Sequence, residues 1–300
     1  MPQRTGFLQR VSIPVMVYLT IAFAIVGVLT YLYLAYTFSD ETIAAVDFVY
    51  PSTYVSSCDS SPGMPVNHSL QNIDGTVSYN VTTPLNYRRD FAHPLLMVWA
   101  PNGFSAFMSE RYTGLTRDAT EQGFVVVHAS SIRLGLKSIE VLGQIPLAVM
   151  AQWCIDPALV FYTGHSDGGT VSTALTVMDD LSVHPRAIAP SAMGMRGQDM
   201  EAFSCPVPTS IMLMHNQDDG HFPGFGADVI KWWAKCNQCA AGTVPTVLGN
   251  CKEFVGCADG SVTLLCEPEG SHMYWPGHEL DPVAFFAEIV NSSQPVSAEH

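Results

Sequence analysis

LVFYTGHSDGGTVSTAL, residues 159–175, sets a short apolar run, a glycine-framed turn and a helix-length segment in succession. At its centre Gly164-His165-Ser166-Asp167-Gly168 satisfies G-x-S-x-G between a predicted strand and a predicted helix, the context of a nucleophile elbow. Side chains two positions before and two after the serine would collide in so tight a turn, which is why glycine stands at both. The serine then projects above the carboxyl edge of a sheet, and the Asp167 N–H points to where a tetrahedral oxyanion would form. Three fixed residues at roughly 7% each would match about 0.1 times by chance in a chain of this length.

Outward from the elbow, short β-branched runs alternate with helix-length segments. Strands are predicted over residues 77–82, 95–100, 124–129, 159–163, 210–215 and 261–266, and helices over about 109–122, 138–153, 169–181, 227–235 and 282–290. LLMVWA and FVVVHA have no polar alternation, as expected of strands covered on both faces. The order predicts an α/β fold, a mostly parallel sheet flanked by helices.

A serine hydroxyl needs a base, and the base an orienting acid, in the chain order Ser, Asp/Glu, His for this kind of fold. SIMLMHNQDDGHFPG places Asp218 and Asp219 just after a strand, with Asp219 favoured and Asp218 in reserve. CEPEGSHMYWPGHEL places His272 a few residues beyond the last strand, with His278 in reserve. A second oxyanion donor is expected from the loop after LLMVWA. Pro101 has no N–H, so Asn102 or Gly103 must donate.

Residues 11–36 carry no charge and are long enough as a helix to exceed the roughly 30 Å hydrocarbon layer. Arg4 and Arg10 precede them and Asp40 and Glu41 follow, which orients the N-terminus to the cytoplasm. A cleaved signal peptide is the competing reading, with an apolar region of usually only 7–15 residues. The expected organisation is a cytoplasmic N-terminus (1–10), a transmembrane anchor (11–36) in a lipid bilayer, a stalk rich in Ser, Pro, Asn and Asp (37–75), a catalytic domain (76–291) and a tail (292–300). Eight cysteines, five of them in the last quarter of the chain, suit disulfides in an oxidising compartment. Cys236-x2-Cys239 has no second CxxC to complete a zinc site. Asn67, Asn80 and Asn291 head glycosylation sequons. Thirteen Lys and Arg against 27 Asp and Glu give a net charge of −14, with no basic run to neutralise phosphates, which argues against nucleic acid as a partner. Trp232-Trp233 reads as a helix face packed on the sheet rather than a carbohydrate platform. Met193, Met195 and Met200 read equally as acyl-pocket lining or core.

Taken together, PLLMVWAPNG, GFVVVHAS, IDPALVFYTGHSDGG, MLMHNQDDGHFPG, WWAKCNQC and CADGSVTLLCEPEGSHMYWPG resemble the α/β-hydrolase group of polyhydroxybutyrate depolymerases, feruloyl esterases and acetylxylan esterases over about residues 79–277. The resemblance implies a serine esterase with Ser166 as nucleophile, Asp219 as acid and His272 as base, acting on an ester substrate without metal or organic cofactor. The chain departs from the group in having Ala100-Pro101 where His-Gly is usual, two residues rather than one between His272 and Trp275, and no Trp-rich motif between Ala129 and Leu142. A hydrolase fold kept as an accessory subunit among membrane-complex partners is the alternative, since fold alone does not secure function.

Overall fold

A computed structural model describes residues 40–51, 58, 63–178 and 183–293, together with residues 17, 18, 20–22 and 24–27. The chain divides into two units, residues 1–39 and 40–300. In the first, the described residues are helical. The anchor expected at 11–36 lies mostly outside the described residues, as do residues 1–10 and 294–300. Among the described residues no helix is long and apolar enough to cross a membrane.

The second unit runs α1 (Asp40–Ile43), β1 (Ser69–Ile73), β2 (Val77–Thr82), β3 (His93–Trp99), α2 (Ala106–Thr113), α3 (Thr116–Glu121), β4 (Val125–Ala129), α4 (Leu136–Met150), β5 (Ile155–His165), α5 (Asp167–Val177), β6 (Ala187–Ser191), α6 (Gly197–Met200), β7 (Ser210–Met214), α7 (Phe225–Cys236), β8 (Thr243–Pro245), β9 (Cys251–Phe254), β10 (Thr263–Cys266), α8 (Gly277–Leu280) and α9 (Pro282–Ser293). The strands form one sheet in the order β1-β2-β4-β3-β5-β6-β7-β10-β9-β8. From β4 to β10 every pairing is parallel, and antiparallel strands close both edges.

The parallel strands are buried on both faces, and successive side chains feed two different cores. Leu95, Met97, Trp99 and Tyr162 pack with Ile145 of α4, Val171 of α5 and Trp233 of α7. Leu96, Val98, Phe161 and Met212 pack with Ala119 of α3 and Val283, Phe286 and Ile289 of α9. Trp232 and Trp233 belong to the first core, as their sequence setting suggested. Met193, Met195 and Met200 are also buried there, so the core reading holds for them.

All six predicted strands are present, several with shifted ends. Four others, β1, β6, β8 and β9, lie outside the predicted runs. The helix expected over 109–122 is two helices. Gly114 takes the left-handed conformation (φ 65°), its N–H donates to the Glu110 carbonyl, and α2 ends there. Of the stretch 37–75, expected as a stalk, several of the described residues from Asp40 onward are packed on or paired with the rest of the second unit. Ile43 and Ala45 are buried, the Val46 N–H donates to Thr120 Oγ1 at 3.1 Å, and β1 pairs with β2.

All eight cysteines are paired, as Cys58–Cys154, Cys205–Cys236, Cys239–Cys257 and Cys251–Cys266. The two members of the CxxC therefore go to different partners. The last bridge joins β9 to β10, the strand that leads into the His272 loop. Of the three sequons, Asn67 and Asn291 are exposed, whereas Asn80 lies inside β2 and is only 7% exposed.

Candidate active site

β5, β7 and β10 all run in the same direction, so the loops that follow them meet at one edge of the sheet. After β5 the chain reverses at Ser166, whose φ of 57° and ψ of −117° are unusual for a residue with a side chain. The turn is feasible because of its glycines: a Cβ at Gly164 or Gly168 would run into the Trp99 carbonyl of β3. α5 starts at Asp167, whose N–H occupies the first turn and has no intrahelical acceptor.

The loops after β7 and β10 are zipped together beyond their strands. The His215 N–H donates to Cys266 O at 2.9 Å, the Gln217 N–H to Pro268 O at 2.9 Å and the Asp218 N–H to Gly270 O at 3.1 Å. The side-chain amide of Asn216 donates to the carbonyls of Ser271 (2.8 Å) and Tyr274 (2.7 Å), and the Trp275 indole N–H donates to Thr113 O at 3.1 Å.

These constraints bring Asp219, His272 and Ser166 into one line of contacts. His272 Nε2 lies 3.0 Å from Ser166 Oγ, and His272 Nδ1 lies 2.9 Å from Asp219 Oδ2. The other carboxylate oxygen, Oδ1, accepts the backbone N–H groups of His221 and Phe222, each at 2.9 Å. Burial by itself would raise the Asp219 carboxyl. The hydrogen bond from His272 and those from the Phe222 and His221 backbone outweigh it and hold the group below the usual carboxylate range. Because the carboxylate can only accept, Nδ1 carries the proton when the imidazole is neutral, and Nε2 is left bare toward the serine hydroxyl. The reserve residues do not join this line: Asp218 and His278 are both exposed, and His278 lies against Gly114. Asn102 and Gly103 are exposed on the loop after β3, whose start, at Trp99, runs beneath the elbow glycines.

The His272 ring is also confined sideways. His221 stacks on it (centroids 4.8 Å apart, 23° between planes) and Phe222 meets it edge-on (5.1 Å, 86°). Two further histidines were not singled out by the sequence. His165 is buried, with Nε2 2.6 Å from the His272 carbonyl oxygen and Nδ1 3.0 Å from Ser191 Oγ. His215 is buried beside Asp219, and its Nε2 is 2.8 Å from the Phe222 carbonyl. The available signal was position: one is the residue before the elbow serine, the other the first residue after the strand that precedes the acid.

No family model matches this chain, and no curated protein matches it in sequence. Solved structures do. An acetyl xylan esterase from Aspergillus awamori superposes with a TM-score of 0.57 at 13% identity, over 73% of this chain and 98% of its own. Thermogutta terrifontis esterase 2 phosphonylated by cyclosarin gives 0.52 at 11% identity, over 78% and 96%. An S-formylglutathione hydrolase from Staphylococcus aureus gives 0.50 at 13%, over 70% and 90%. The likeness is one of fold, the α/β-hydrolase architecture expected from the elbow.

Proposed function

We propose that this chain is a serine esterase that hydrolyses carboxylic esters through an acyl-enzyme. His272 takes the Ser166 hydroxyl proton at Nε2 as Ser166 Oγ attacks the ester carbonyl. The N–H groups of Asp167 and of Asn102 or Gly103 hold the resulting oxyanion. The imidazolium returns its proton to the leaving alcohol, and water then repeats the sequence on the acyl-enzyme. Asp219 keeps the proton on Nδ1 and stabilises the imidazolium. The chemistry uses these side chains, the backbone N–H groups and water. The observation that supports the reading most strongly is the pair of contacts at 3.0 and 2.9 Å joining Ser166, His272 and Asp219 across three separate loops.

Four disulfides support an oxidising, extracytoplasmic location. With the uncharged run at 11–36, the reading extends to an enzyme anchored in a bilayer with its catalytic domain on the far side from the cytoplasm. The test is labelling of the full chain with a fluorophosphonate probe alongside hydrolysis of short acyl p-nitrophenyl esters. Label should map to Ser166, and Ser166→Ala should lose both label and turnover while unfolding at the same temperature. A folded chain that takes no label and turns over no ester would be an accessory scaffold instead.

A further inference from the structure

The contact between Ser166 and His272 is not the only link between those residues. A second path runs behind it through Ser191, the last residue of β6. The Ser166 N–H donates to Ser191 O at 2.9 Å. Ser191 Oγ lies 3.0 Å from His165 Nδ1, and His165 Nε2 lies 2.6 Å from His272 O. A carbonyl oxygen can only accept, so His165 Nε2 carries a proton. The ring is 2% exposed, and burial holds its pKa down to about 4, so it is neutral. Nδ1 is therefore bare and accepts the Ser191 hydroxyl. The four contacts close a ring of hydrogen bonds through Ser166, Ser191, His165 and His272.

We infer that His165, its proton fixed on Nε2 by the His272 carbonyl and its Nδ1 held by the Ser191 hydroxyl, is a positioning residue that holds the base in place when its front contact with Ser166 is lost. The inference rests on the proposed esterase reading. Once Ser166 Oγ is acylated it has no proton to donate, and the 3.0 Å hydrogen bond that aligns His272 disappears. The loop carrying His272 has little regular secondary structure, yet its imidazole must then direct water at the acyl carbon. The bond to the His272 carbonyl is unaffected by acylation and persists through that step. Removing it should impair deacylation more than acylation. A misplacement of about 1 Å can cost on the order of 100-fold in rate.

The decisive comparison is His165→Leu with His165→Gln, whose terminal amide keeps an N–H donor near the position of Nε2. Rates are normalised to active sites titrated with fluorophosphonate. His165→Leu should lower kcat by about 100-fold and kcat/KM by no more than about tenfold, so that KM falls and acyl-enzyme accumulates. His165→Gln should recover kcat to within about fivefold of the parent. Equal losses in kcat and kcat/KM, or a glutamine variant no better than leucine, would overturn the inference. Should His165→Leu fail to fold, Ser191→Ala takes its place, with a kcat loss near tenfold expected and an unchanged kcat counting against the role. In the unreacted full chain, 15N chemical shifts should report His165 as the Nε2–H tautomer. That readout needs no turnover, so it separates a failed strap from a failed esterase reading.

Discussion

Asp219→Asn keeps the shape of the acid while changing what it can donate and accept, and the structure specifies the outcome. Oδ1 accepts two backbone N–H groups, from His221 and Phe222, both at 2.9 Å. In the asparagine variant the amide oxygen keeps that place, so the amide NH2 faces His272 Nδ1. Nδ1 must then accept, the proton moves to Nε2, and Nε2 can no longer take the Ser166 proton. Flipping the amide would restore the useful tautomer but orphan two part-buried donors, at about 1–3 kcal/mol each. At about 1.4 kcal/mol per tenfold, the competent arrangement is reduced by roughly 30-fold to 10⁴-fold. Losing the negative charge beneath the imidazolium pushes the result toward the upper end. The expected kcat/KM for a p-nitrophenyl ester at pH 8 is lower by about 10³-fold or more, with an unfolding midpoint close to the parent's because the turn keeps its acceptor. The exposed neighbour supplies the control, since Asp218→Asn should stay within about twofold. An Asp219→Asn enzyme within tenfold of the parent would refute the tautomer argument.

Two predictions concern stability. Burial holds His93, His128 and His165 each down to about 4, against an ordinary value near 6.5. Between those pH values the unfolded chain binds protons that the folded chain refuses, so stability is full above pH 6.5 and declines toward pH 4, by on the order of 3 kcal/mol per histidine. Urea midpoints measured from pH 7 to 4.5 should fall steadily, and a flat series would contradict the buried neutral rings. At the elbow, Gly168→Ala puts a methyl group against the Trp99 carbonyl and should cost about 3 kcal/mol or more. Gly103→Ala meets no atom within 4 Å and bears only the strain of a φ of 79°, about 1–2 kcal/mol. Equal midpoints for the two variants would show that the strand beneath the elbow can move aside.

The parallel centre of the sheet was legible because LLMVWA and FVVVHA, apolar but for His128, show no polar alternation, as strands covered on both faces require. β6 was not, because AIAPS is short, built of small residues and carries Pro190. A proline cannot donate to a ladder and argues against a central strand. The pairing accommodates it: β6 meets β7 at Ala187, Ile188 and Ser191, with no register at Ala189 or Pro190. The edge strands β1 and β8, and β9 beside β8, are short and partly exposed, too weak a pattern to stand out. The break between α2 and α3 was masked by helical spacing that continues across Gly114. At the site, Ser166, Asp219 and His272 were readable because each follows a strand in a fixed chain order. His165 and His215 act on backbone carbonyls, at His272 and Phe222, that lie in other loops or across a turn. A carbonyl is the same at every residue, so no local pattern betrays which one is its target.

The asparagine inside β2 has a consequence for how the protein is made. Asn80 faces packed neighbours in the finished sheet, leaving no volume for a branched sugar, while the sequence around it advertises it to any transferase that decorates emerging chains. In a compartment with such an enzyme, attachment at that position and completion of the sheet exclude each other. Every molecule that matures there is one in which Asn80 stayed bare.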